Sequence, residues 1–245
     1  MSVRPFGIIV GSSGALGRAY APILSSSSCI NGLYKGLIGL DINPSNDIDG
    51  LTKVLALSGT VDDSSIIDPI NTITQSEGAI VQAVVHCAGS WAGGPFPTLG
   101  SPNASFSSYL TSTSSMLSSN LTSAVFAAGL ASRYLPPSGT LVLTGASASL
   151  SPSSCSDFMP GYGLSKMGVS NLAEMLREEV EFKVVVVHPG TIDTKVNRDA
   201  MPDANFDEWN STEGIARGVR EKIESGEGGD FTVITEGGKT WLEKI

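Results

Sequence analysis

Cysteine, histidine and positive charge are what this sequence of 245 residues has least of, and each shortage excludes something. The three cysteines, Cys29, Cys87 and Cys155, are odd in number and far apart, which fits reduced thiols in a cytoplasmic protein and not a disulfide scaffold. Two histidines accompany them, with no CxxC or HxxxH spacing, so no metal centre is expected. The 15 basic residues face 24 acidic ones, a net charge of -9, and such a surface does not attract phosphate backbones or anionic lipid. Nucleic acid and membranes are therefore not expected partners. No apolar run approaches the roughly 18 residues of a membrane helix. The short apolar segment Phe6 to Val10 reads as a first strand and not a signal peptide, so the sequons at Asn103, Asn120 and Asn210 are expected to stay unmodified.

What is present is a 41% hydrophobic content, enough for a sizeable core, and one α/β domain over 1–245 is expected. Short apolar runs recur at 6–10, 36–40, 54–57, 80–86, 140–144, 184–188 and 231–235, separated by helical patterns. Continuous Val, Ile and Leu runs suit parallel strands buried on both faces. Leu117, Leu121, Ala124 and Ala128 form one predicted helical stripe, and Val169, Leu172, Ala173, Leu176 and Val180 form another. Strands alternating with helices predict an α/β fold of Rossmann type: a doubly wound, mostly parallel sheet with helices on both faces. Ligands bind such sheets at the carboxyl ends of the strands, where strand order reverses. The serine-rich stretches at 25–28 and 101–119 read as loops, the second running into a polar helix start.

VGSSGALGRAY, from Val10, sets Gly11, Gly14 and Gly17 after the first strand and at the opening of a helix. Glycines there let backbone N–H groups approach a pyrophosphate at a helix N-terminus, so Gly11, Ser13, Gly14, Ala15, Leu16 and Gly17 are candidate dinucleotide contacts. Asp41 ends the second strand 24 residues after Gly17, where a carboxylate accepts hydrogen bonds from ribose hydroxyls and repels a 2′-phosphate. NADH is the expected cofactor, with NADPH less favoured. Arg18 keeps two readings, a partner for a 2′-phosphate or a solvated helix residue. The turn of small residues at 87–89 brings Ala88 and Gly89 beneath the dinucleotide.

GYGLSKMGV, from Gly161, puts Tyr162 and Lys166 one helical turn apart on one face. A phenol exchanges protons poorly at neutral pH unless a nearby cation stabilises its phenolate, and Lys166 supplies that cation. Both are candidate catalytic residues and candidate cofactor contacts. HPGTIDT, 188–194, adds Pro189, Gly190, Thr191 and Thr194 on the cofactor side. His86 and His188 end strands there but read as structural residues, since Tyr162 and Lys166 already provide the proton chemistry.

With GSSGALG, the CAG at 87–89, Asn120 in a helix, TGAS at 144–147, YGLSK and PGTIDT, the chain resembles the short-chain dehydrogenase/reductase family over nearly its whole length. Within it the likeness is greatest to the dihydropteridine reductase branch, on WAGG at 91–94, VNRDAMPDANFDEW at 196–209 and VITEGGKT at 233–240. The resemblance implies reduction of a quinonoid dihydropterin by NADH, with Tyr162 as proton donor or relay and the nicotinamide near Pro189, Gly190 and Thr191. It also implies a homodimer formed through a helix pair, here 115–134 and 163–180. A serine that polarises the substrate carbonyl in the wider family is matched by Ala146, as in the pterin-reducing branch. Ser147 and Ser149 stand close enough to keep a carbonyl or alcohol oxidoreductase open, and Asn120 and Pro189-Gly190 look more like the general family. A dinucleotide sensor without catalysis is the remote alternative, disfavoured by the intact Tyr162 and Lys166.

The substrate side is expected to include Trp91, Ala146, Ser147 and Asn197, with a lid over about 192–212. Trp91, inside HCAGSWAGGPF, is either a core residue or the flat wall on which a pterin stacks, with Gly93 and Gly94 turning the chain after it. Asn197 and Arg198 either meet the pterin edge or decorate a polar helix. Met201, Phe206 and Trp209 either line the lid or pack locally beneath it.

Overall fold

The computed structural model describes residues 4–25, 33–57, 63–92, 105–151 and 160–245. Cys29, Cys155, Gly93 and Gly94 lie outside them. Strands β1 (Arg4–Val10), β2 (Gly36–Asp41), β3 (Lys53–Ala56), β4 (Ala79–His86), β5 (Thr140–Thr144), β6 (Lys183–His188), β9 (Gly229–Glu236) and β10 (Lys239–Lys244) make one sheet in the order β10-β9-β6-β5-β4-β1-β2-β3. Every neighbouring pair is parallel except β9–β10. The helices are α1 (Ala15–Leu24), α2 (Asp63–Glu77), α3 (Phe106–Met116), α4 (Ser123–Tyr134), α5 (Pro160–Glu179), α6 (Lys195–Ala200) and α7 (Thr212–Ser225). A two-stranded pair, β7 (Ile192–Asp193) with β8 (Asn210–Ser211), brackets α6. No helix among the described residues is long and apolar enough to cross a membrane.

Alternation along β1 explains the two layers. Phe6, Ile8 and Val10 point to one face, where α2, α4 and α5 bring Ile66, Ile70, Ala127, Ala131, Val169 and Ala173. Ile9 points to the other, where α1 and α7 bring Leu16, Tyr20, Leu24, Ile215 and Val219. A sheet buried on both sides leaves little room for polar alternation, which is why its inner strands read as apolar runs. The serine-rich stretch expected to be mostly loop is instead helical from Phe106 on, with the Ser105 hydroxyl accepting the Ser108 N–H to cap α3, while residues 26–28 and 101–104 lie outside the described residues.

Two further expectations need correction. β10 has no apolar run; it is an edge strand with alternating exposure, reached through Gly237-Gly238, both at positive φ, in a two-residue hairpin that pairs Glu236 with Lys239. The helical stripe also fails at its head, where Leu117 is 37% exposed. A π-turn over Leu117–Thr122 rotates the helix, so that Met116, Asn120 and Ala124 face inward.

Candidate active site

Strand order reverses between β1 and β4. There the Val10 carbonyl accepts both the Cys87 N–H (2.9 Å) and the Ala88 N–H (3.0 Å), while the Gly11 N–H reaches the Leu40 carbonyl at 2.8 Å. Three strand ends are thereby tied around one point. Gly11 sits at φ +90°, and a Cβ there would stand 2.4 Å from the Ala88 nitrogen. A Cβ on Gly17 would stand 2.3 Å from the Gly11 carbonyl oxygen, so α1 can lie this close to the loop only without one. No side chain caps α1 at Gly14, leaving the N-terminal N–H groups of Ala15, Leu16 and Gly17 at the carboxyl end of the sheet. The Cys87 thiol bonds the Val10 and Gly11 carbonyls, and burial pushes its pKa up, so it is an inert neighbour.

Asp41 closes the far side of the loop. One carboxylate oxygen accepts the Ser13 N–H and the other the Asn43 N–H, each at 2.9 Å. Arg18 is a solvated residue of α1, the second of its two sequence readings, and its guanidinium binds the Ser13 carbonyl, Ser45 Oγ and Asp47, fastening the loop to the segment after β2.

Lys166 lies on α5 with its ammonium 2.9 Å from the Thr144 carbonyl oxygen. Only 5% exposed, it is pulled down to a pKa of about 8 by desolvation, against a smaller upward pull from Cys87. Tyr162, half-buried, sits one turn earlier on the same helix. Asn120, held inward by the π-turn, grips Ser90 at both ends: its Oδ1 accepts the Ser90 N–H at 2.9 Å and its Nδ2 donates to the Ser90 carbonyl at 3.1 Å. The same Nδ2 donates to Ser165 Oγ (2.9 Å), whose hydroxyl donates to the Tyr162 carbonyl (2.7 Å). Gly89 fits between these groups because a Cβ there would be 2.6 Å from Asn120 Oδ1 and 3.5 Å from Lys166 Nζ. Sequence reasoning named Asn120 as a motif match but gave it no place in the site, and it missed Ser90, Thr144 and Ser165. The signal was available: Asn120 stands beside the apolar stripe of Leu117, Leu121 and Ala124, and an amide turned toward a core needs buried partners.

On the opposite wall Ala146 is buried, and its carbonyl accepts both the Ser149 N–H (2.9 Å) and the Ser149 hydroxyl (2.6 Å). Ser149 thus spends its proton on its own turn. Ser147 instead meets the Pro189-Gly190 turn: its N–H donates to the Pro189 carbonyl at 2.8 Å, and its Oγ would be 3.8 Å from a Cβ on Gly190. Trp91 is 62% exposed, which removes the core reading of that indole. Thr191 is exposed, and Thr194 caps α6 by accepting the Asn197 N–H. Asn197 donates to the Ile192 carbonyl, while Arg198 pairs with Asp193 and lies 4.5 Å from the Phe206 ring centre. Phe206 meets Trp209 edge to face, so these aromatics pack locally, with Met201 exposed beside them.

The two histidines are structural. His86 bonds Ser123 Oγ at 2.8 Å, and burial lowers its pKa to about 3, keeping it neutral. His188 bonds Asp230 at 2.9 Å, which also holds Arg177 at 2.6 Å.

Comparison with known proteins agrees with this geometry. A dihydropteridine reductase of Dictyostelium discoideum is 32% identical over 221 residues, covering 87% of this chain and 85% of that protein. A short-chain dehydrogenase/reductase from Serratia marcescens superposes with a TM-score of 0.68 at 21% identity, covering 93% of this chain and 94% of that one. The ligand-free aldohexose dehydrogenase of Thermoplasma acidophilum gives 0.67 at 17% identity, over 91% and 89%. At such identities the solved structures speak for the fold alone. The short chain dehydrogenase model matches residues 7–205, from the glycine loop through Tyr162 and Lys166 to the segment beyond α6, and the chain belongs to that family.

Proposed function

We propose that this protein reduces quinonoid dihydropterin to tetrahydropterin at the expense of NADH. The observation that carries the reading is the exposed indole of Trp91, one residue beyond Ser90, which Asn120 holds beside Gly89 and Lys166. A flat aromatic face offered at the mouth of a site suits a flat heteroaromatic substrate. The buried Ala146, without a hydroxyl, suits an acceptor that is a conjugated ring and not an isolated ketone. The dihydropteridine reductase relative supports the same substrate class.

The residues present fit a nicotinamide dinucleotide: Gly11 and Gly17 let the loop, α1 and the end of β4 close together, and the first N–H groups of α1 stand uncapped by any side chain at the carboxyl end of the sheet. When bound, that cofactor supplies the hydride. Asp41 retains lone pairs beyond the Ser13 and Asn43 bonds, and these suit ribose hydroxyls and disfavour a 2′-phosphate, hence NADH over NADPH. Tyr162 Oη donates the proton that completes the reduced ring, and the Lys166 ammonium stabilises the phenolate left behind. Two copies pair through α4 and α5, which carry the exposed Val125, Leu164 and Met175. Steady-state assay of chemically generated quinonoid dihydropterin with NADH tests the reading, and absence of turnover overturns it.

A second reading, reduction of a simple carbonyl, rests on Ser147, which stands against the Pro189-Gly190 turn where Ser149 does not. A panel of ketones and aldehydes assayed with NADH distinguishes the two.

A further inference from the structure

The Pro189-Gly190-Thr191 turn leaves the sheet at the end of β6, and its polar backbone groups are gripped from two sides. From one side comes the Ser147 N–H. From the other comes Asn210, on β8, which is only 4% exposed. Its Oδ1 accepts the Gly190 N–H at 2.7 Å, and its own N–H donates to the Thr191 carbonyl at 2.8 Å. Its Nδ2 donates at 2.9 Å to Thr235 Oγ1, near the end of β9. Thr235 in turn shares a hydrogen bond with Thr240 on β10 (3.0 Å), and Thr240 Oγ1 accepts the N–H of Ser211, the neighbour of Asn210, at 3.2 Å. The whole amide is used, with one end on the turn and the other on the hairpin. No proton chemistry needs this residue, and its sequon reading gives no reason for its burial.

We propose that Asn210 is a positioning residue for the nicotinamide end of the cofactor site, setting the Pro189-Gly190-Thr191 turn against the β9–β10 hairpin. The inference rests on the reading of this fold as an NADH enzyme with that turn beside the nicotinamide. Removing the amide takes from the Gly190 N–H its acceptor inside the fold and frees the turn, so binding weakens only for the part of the ligand that the turn meets.

Binding of NADH and of ADP-ribose, which lacks the nicotinamide, separates the outcomes. Titration calorimetry on the full chain is expected to show Asn210→Ala weakening NADH by about tenfold while ADP-ribose changes less than about twofold. Thr235→Val, which removes only the hairpin anchor, is expected to produce the same selective loss at about threefold, and the double variant no more than Asn210→Ala alone. The valine variant keeps the test available should the alanine variant not fold. Equal weakening of both ligands, or of neither, overturns the proposal while leaving the functional reading in place. Failure of the unaltered protein to bind NADH or ADP-ribose overturns the functional reading and the proposal together.

Discussion

The ammonium of Lys166 donates to the carbonyl oxygen of Thr144 across 2.9 Å, from inside the protein. Burial lowers its pKa from 10.5 to about 8, so the cation proposed to support Tyr162 is lost as pH rises through that value. Turnover with quinonoid dihydropterin is expected to fall on the alkaline side with an apparent pKa near 8. Stability moves the other way. Between pH 8 and 10.5 the unfolded chain holds the proton that the folded chain has released, so the unfolding free energy rises with pH. A pH–rate profile beside a pH series of melting curves checks both, and a flat alkaline rate refutes the role given to Lys166.

Trp91→Ala should raise the KM for dihydropterin at least about tenfold and leave the KM for NADH within about twofold, if the indole is the stacking wall. Steady-state kinetics with each substrate varied in turn measures this. A KM for dihydropterin that does not move removes Trp91 from the site.

Asp41→Ser should lower the preference for NADH over NADPH by about tenfold or more, since the repulsion of a 2′-phosphate goes with the carboxylate. Part of the NADH loss will come from the glycine loop, whose Ser13 N–H the carboxylate also holds. The ratio of kcat/KM for the two cofactors is the decisive quantity. Comparable rates with both in the unaltered protein would count against Asp41.

His86 is neutral in the fold, its pKa lowered by burial from 6.5 to about 3. Below pH 6.5 the unfolded chain binds a proton that the folded chain refuses, so stability is lost as pH falls through that window. The loss amounts to a few kcal/mol at most by pH 3. Denaturant titrations between neutral and acid pH should show it. His86→Asn, which keeps a polar group toward Ser123, should flatten the slope, and an unchanged slope would assign the acid sensitivity elsewhere.

The parts of the fold legible in the sequence are those where burial is complete on both faces. TLVLT and VVVVH announce β5 and β6 because nothing polar interrupts them. β10 escapes because its exposed edge mixes Lys239, Trp241 and Glu243, although Gly237-Gly238 between two pairing segments was a hairpin signal. In the candidate site, the tight turn at Gly11 and the shared helix of Tyr162 and Lys166 are legible because short-range spacing carries them. Ser90, Thr144 and Asn210 act through contacts between distant segments: Ser90 meets Asn120 30 residues on, Thr144 meets Lys166 22 residues on, and Asn210 meets Gly190 20 residues before it. No local pattern encodes such meetings.

The π-turn at Leu117–Thr122 holds one more residue than ordinary α-helix would place in the same rotation. Deleting one of its six residues would let the segment close as α-helix with Ala124, Ala127, Ala128 and Ala131 still against the sheet. What the deletion would disturb is Asn120, which sits inside the turn and meets Ser90 from there. The extra residue therefore bears on the site more than on the core.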